Sequence, residues 1–169
     1  MSKLLSIIDA ANERVGQAMK WFVIAAMLVM VIEVAQRYLF HRPSMWGYEI
    51  PVQVGAAMYV LSWGYVHLSH GHVRVDVFYS HFSPRTRTIV DIACFFLLFV
   101  PVIGFLIYTS GAWMARAWNI GEKSVLTYWY PPIAPLRTTI FVGMLLLLLQ
   151  GIAHFIRDLH LLVRSKPHG

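Results

Sequence analysis

The sequence predicts an all-α membrane protein with four transmembrane helices and an N-terminal interfacial amphipathic helix. Three observations predict it: too little charge for a soluble domain, four apolar runs near bilayer length, and a helical polar–apolar period ahead of the first run. Of 169 residues, 58% are hydrophobic and 13% charged, with a mean hydropathy of +0.60. A soluble domain is about half apolar and about a quarter charged. A chain this short has a high surface-to-volume ratio, so a larger core cannot absorb the difference. The excess apolar surface therefore faces lipid. Six Trp and eight Tyr agree, since amphipathic rings favour the headgroup boundary.

The amphipathic segment spans about residues 3–19. Leu4, Ile8, Ala11, Val15 and Ala18 recur at helical spacing, while Asp9, Asn12, Glu13 and Arg14 are polar. Such a helix lies in the interface plane. A cleavable signal peptide is excluded because those polar residues interrupt any apolar h-region.

A bilayer needs about 20 apolar residues at about 1.5 Å rise each. The first run covers about 21–40, the second 50–68, the third 88–110 and the fourth 133–155. Pro51 and Pro135 mark helix entries, because proline is tolerated in a first turn. Pro101 and Gly104 should bend the third span. Between the third and fourth spans, Gly111–Tyr130 is rich in Trp and Tyr and reads as an outer aromatic belt with a short flat helix. His72–Phe82 alternates apolar and polar residues and reads as an interfacial segment. The chain forms a single membrane domain, 1–169, without repeats.

Lys and Arg number nine on the side holding the N-terminal segment, the 69–87 loop and the tail, against five opposite. That places both termini in the cytoplasm. The net charge of +6 is thereby explained by topology and headgroups, not by nucleic acid. The one cysteine, Cys94, sits in an apolar run and allows no intrachain disulfide.

Several residues could carry chemistry. Glu33 and Arg37 lie in the first span four apart, with Glu first, the order that favours pairing on one helix face. A relay is the functional reading of an ionisable group at this depth. A self-neutralised pair or a polar contact with a partner is favoured, since Arg37 can reach the interface. Arg87 and Asp91 have the same spacing. His67, His70 and His72 cluster at the end of the second span, with His154 in the fourth. They invite a b-type haem, which needs two axial imidazoles from facing helices. Matched pairs are lacking, so interfacial or hydrogen-bonded histidines are expected, with no metal and no cofactor. Gly55, Ala56, Ala57, Ser62 and Gly64 give the second span a small-residue surface for this bundle or for a partner. No phosphate loop, nucleophile elbow or zinc motif is present, and no enzyme is expected.

Certain short motifs resemble the small membrane subunit of tripartite ATP-independent periplasmic (TRAP) transporters. Trp46-Gly47-Tyr48-Glu49 resembles that family's Trp-x-x-Glu entry to the second helix. His70-Gly71-His72-Val73-Arg74-Val75-Asp76 resembles its Gly-His-Ile-Arg-Val-Asp signature, with Val for Ile. Trp63, Pro131-Pro132 and Leu149-Gln150 fit weaker family patterns, while Pro51 departs from the usual helix former. The resemblance implies a scaffold in the inner membrane. In such systems a large elevator-type membrane subunit carries substrate and sodium sites, and a periplasmic substrate-binding protein delivers an organic acid. The interface residues it implies are Glu33, Arg37, Trp46, Glu49, Trp63, His70, Gly71, His72, Arg74 and Asp76, with none contacting substrate. His72, Arg74 and Asp76 would order the turn after the second span, Trp46 would anchor the outer boundary, and Glu49 would cap the second helix. A haem-bearing membrane anchor of a respiratory enzyme is the alternative. A stand-alone exporter would need a polar pathway that paired charges do not supply.

Overall fold

Between Ser2 and Tyr38 there is no proline and one glycine, so nothing in the sequence stops a helix once it starts. The computed structural model, which describes residues 2–69 and 84–164, accordingly has one unbroken helix, α1, over Ser2–Tyr38. The separate interfacial helix expected over 3–19 is thus the first half of a 37-residue rod, about 55 Å long at 1.5 Å per residue. Its polar face is also not simply solvated, because Asn12 is fully buried. The helix ends where His41 adopts φ of 52°, which lets the Arg42 N–H reach Gln36 O at 3.0 Å.

Helix α2 (Trp46–Leu68) starts four residues before the expected Ile50. Ser44 Oγ accepts the Gly47 N–H at 3.1 Å and caps the new start, so Pro51 falls inside the helix instead of in its first turn. The interfacial segment 72–82 and the motif residues His70, Gly71, His72, Arg74 and Asp76 lie outside the described residues.

The third element comprises α3 (Pro84–Cys94), a π-helical turn (Phe95–Phe99) and α4 (Val100–Ile120), in continuous succession. Pro101 supplies no N–H for the turn before it, and its ring crowds the carbonyl four residues back. The chain relieves that crowding by widening one turn: the Val100 N–H reaches Phe95 O, five residues back. The helix then continues ten residues past the expected end at Ser110, so the short flat helix expected within 111–130 is absent. Gly121, at φ of 60°, ends it in the left-handed conformation that glycine takes without a Cβ penalty. A tight return follows. Ser124 N–H donates to Pro131 O at 2.8 Å and Ile133 N–H to Glu122 O at 3.0 Å around an isolated antiparallel bridge, Lys123 to Pro132. Helix α5 (Ala134–Arg164) completes the chain.

Among the described residues, three helices are long and apolar enough to cross a membrane: Lys3–Tyr38, Thr86–Ile120 and Ala134–His160. Helix α2, 23 residues long and carrying Glu49, Gln53 and His67, is not among them. In the most apolar stretch of α5, 33% of residues are buried inside the chain, against 6% in α1 and in α3–α4. Helix α5 is therefore central, with α2 packed against it and against α1.

The α2–α5 contact is made backbone to backbone. A Cβ on Gly143 would lie 2.9 Å from Val60 O and 2.6 Å from Val60 Cγ1. In lipid no hydrophobic effect drives helices together, so close approach and dispersion must do it, and small residues permit both. Gly64 of α2 plays the same part toward Asn12, whereas Gly55 has nothing within 4 Å. The small-residue surface of α2 thus divides between an internal seam and an open side.

Candidate functional site

Five buried polar residues, Asn12, Glu33, Glu49, Ser124 and Gln150, form three junctions, the second and third joining segments distant in sequence. At the first, Glu33 is 6% exposed. Its carboxylate accepts from the Ser44 N–H at 3.2 Å and from the Ser44 hydroxyl, and Arg37 Nη2 lies 3.6 Å away. The expected Glu33–Arg37 pair is present, with Arg37 reaching outward. What the sequence did not indicate is Ser44. By holding Ser44, Glu33 orients the hydroxyl that caps α2 and so fixes the turn between two helices. Gly47 packs directly on the Glu33 carboxylate, where a side chain would collide with it.

The second junction centres on Glu49, 1% exposed. It stands in the first turn of α2, where a carboxylate suits the helix dipole. It does not cap that helix. Oε1 accepts from Ser124 Oγ at 2.9 Å, Thr127 Oγ1 at 3.0 Å and Thr127 N at 3.1 Å. Gln53 Nε2 lies 3.5 Å from Oε2. The carboxylate thereby clamps the 121–133 return to α2. Charge-assisted bonds to a buried carboxylate are the strong kind. Val125 and Tyr128, on the same return, are each 83% exposed. Trp46 starts the same helix and Trp63 lies later on it, edge to face with Tyr59 at 5.4 Å.

The third junction ties α1 to α5. Asn12 Nδ2 donates to Gln150 Oε1 at 2.8 Å, Gln150 Nε2 donates to Asp9 Oδ1 at 3.0 Å, and Arg157 Nη2 pairs with Asp9 Oδ2. Asn12 and Gln150 are both fully buried. The signal was available in part: an amide inside an otherwise apolar span calls for a partner. Asn12 was not legible, because in an amphipathic pattern it reads as water-facing. Replacing Gln150 by leucine removes both bonds and leaves Asn12 Nδ2 with its weaker bond to Ile8 O, at 3.2 Å. Interhelical hydrogen bonds in membranes contribute about 0.6–2 kcal/mol each, so a loss of about 1–3 kcal/mol is expected. Denaturant titration in micelles measures it, and an unchanged midpoint would show that the network carries no stability.

His67 and His154 do meet, with ring centroids 4.9 Å apart and planes at 71°. His67 also stacks on Phe99 at 5.7 Å. Two imidazoles in edge-to-face contact leave no space for an iron and a macrocycle between them, so these residues do not fit a bis-histidine haem. Among the described residues no group of three or more His, Cys, Asp or Glu is placed to hold a metal.

These junctions are structural ties within a helical membrane protein whose outer faces are apolar. Residues 26–161 match the family described as tripartite ATP-independent periplasmic transporters, DctQ component. The chain belongs to that family, a transporter component and not a family of enzymes. Among curated proteins no match is found.

Proposed function

We propose that this chain is the small scaffold subunit of a sodium-coupled TRAP transporter for organic acids. On this reading it supports a large elevator-type membrane subunit and helps dock a periplasmic substrate-binding protein. It sits in the inner membrane of a prokaryotic cell with four spans and both termini in the cytoplasm. Helix α2 is the fourth span, its polar residues turned toward protein instead of lipid. The observation that carries the reading is the family match over 26–161. The internal saturation of Glu33 and Glu49 supports it: a carboxylate whose oxygens already hold Ser44, or Ser124 and Thr127, ties segments of one chain together and leaves little for a passing solute. The outward apolar faces of α1 and α3–α4 supply surface for lipid and for a large partner. No observation favours the haem-anchor alternative.

Glu33, Arg37, Trp46, Glu49 and Trp63 act on this reading by fixing the scaffold's shape. His70, Gly71, His72, Arg74 and Asp76 order the turn after α2 and its partner contact. Co-expression with the large subunit followed by affinity purification tests this. Alanine at Arg74 or Asp76 is expected to lower the yield of complex several-fold, with no change in which substrate the remaining complex transports. An intact complex with altered substrate selectivity would overturn the scaffold role.

A further inference from the structure

A lateral crevice of about 660 Å³ lies between α3–α4 and α5, with the π turn in its wall. Its depth in the bilayer follows from the spans that line it. Ile103 is equidistant from Thr86 and Ile120, and Leu147 from Ala134 and His160, the ends of the two apolar spans. Both line the crevice and both are buried, so its floor reaches the middle of the spans. Asp91 and Asp158 mark its other end, twelve and eleven residues away along the same helices. At about 1.5 Å per residue that distance is roughly 17 Å, against about 15 Å for half of a hydrocarbon core about 30 Å thick. The crevice is one leaflet deep. Asp91, Asp158, His67 and His154 at its polar end are all engaged within the chain. The apolar stretch between them and the floor is what an occupant must match. Along it Leu98 and Val102 are 63% and 54% exposed, so the mouth opens sideways onto the apolar outer face.

We propose that this apolar stretch is a binding site for one acyl chain of a phospholipid from that leaflet. No water reaches this depth to fill a gap, and an empty gap forfeits the dispersion contacts of its whole lining. A partner helix is the rival occupant, and two observations count against it. A helix is about 10–12 Å across, so over that length it takes up on the order of 1,300 Å³ or more, about twice the crevice. Helices in lipid also approach one another through small residues. Gly151, the only glycine among the described lining residues, is already covered by the Phe99 ring, where a Cβ would collide. A single alkyl chain needs neither the width nor a small-residue seam, and its length suits a cleft one leaflet deep. Because the chain makes the fit, the headgroup is not selected. The site goes beyond the scaffold reading and does not depend on it.

The full chain in nanodiscs of glycerol-headed phospholipid, doped with the same lipid carrying a diazirine at the chain terminus, tests the proposal. Photolysis and peptide mass spectrometry then map where the chain inserts. Label is expected on Ile103 and Leu147, which are buried from lipid that merely surrounds the bundle, as well as on outward residues such as Tyr108. Moving the diazirine beside the ester should shift the inner label to Cys94 and Phe155, nearer the polar end. Leu98→Trp and Val102→Phe each fill the crevice from an exposed position, so the fold is kept. Each should lower the label on Leu147 several-fold and leave that on Met27 and Leu28 of α1, both exposed, unchanged. An ethanolamine-headed probe should give the same pattern. Label confined to outward residues, or equal label on Leu147 in wild type and both filled variants, would overturn the site. Label on Leu147 that depends on the headgroup would overturn the assignment to the acyl chain. Its disappearance when the large subunit is reconstituted alongside would put a partner helix in place of the lipid and overturn the proposal.

Discussion

Replacing Gly143 by alanine is expected to destabilise the bundle by about 1–3 kcal/mol, the usual cost of overpacking a filled contact, and replacement by leucine by more. The new Cβ would meet Val60 O at 2.9 Å and Val60 C at 3.0 Å. These are backbone atoms and cannot rotate aside. Helices α2 and α5 must separate instead, and with them go the dispersion contacts that hold helices in lipid, where apolar burial gives no net drive. The contrast is Gly55, which has nothing within 4 Å. Gly55→Ala should leave stability unchanged or raise it by up to about 1 kcal/mol through helix propensity. Thermal unfolding of both variants in one detergent reads the difference directly. For a chain of this size about 1 kcal/mol moves Tm by about 2–4 °C. If Gly143→Ala melted with wild type, the backbone-to-backbone seam would not be the α2–α5 contact.

Glu49→Ala should be comparably severe and more local. Ser124 Oγ, Thr127 Oγ1 and Thr127 N all donate to one oxygen of this carboxylate, which is 1% exposed. Each donor left without an acceptor costs about 1–3 kcal/mol unless water reaches it. Recovery of the desolvation cost of the carboxylate offsets part of this. A net loss of about 2–4 kcal/mol is expected. The expected structural signature is release of the 121–133 return, read as faster chymotrypsin cleavage among Tyr128, Trp129 and Tyr130 while α1 stays protected. Glu49→Gln retains an acceptor and should fall between wild type and alanine. A cleavage rate unchanged in Glu49→Ala would mean that the bonds within the return, such as Ser124 N to Pro131 O at 2.8 Å, hold it unaided.

Glu49 and Glu33 show which features are legible in the sequence and which are not. Glu49 was singled out from a Trp-x-x-Glu motif and placed at the start of α2, where it stands. Its assignment as a cap was wrong in kind, because the cap is Ser44 and the carboxylate turns away to a loop 75 residues later in sequence. No local spacing rule reaches across that distance. Glu33 and Arg37, four apart on one helix, were paired from sequence, since a helical repeat fixes neighbours three and four residues away. Asn12, Gln150, Asp9 and Arg157 escaped as a set because their contact depends on where two helices cross.

By itself the sequence determined that the chain is helical, apolar on its outer faces and built to sit in a bilayer. Those properties follow from composition and from hydrogen bonding within each helix, both local quantities. It also determined the family through short motifs. The tertiary structure decided where helices begin and end: Ser44 and its Glu33 partner moved the start of α2, and the π turn before Pro101 let the third helix run on to Ile120. It decided as well that α5 is the axis of the bundle and that Gly143 packs directly on the Val60 backbone. Such matters depend on which surfaces meet, and a meeting of surfaces is set by the free energy of the whole packed assembly, not by any window of residues.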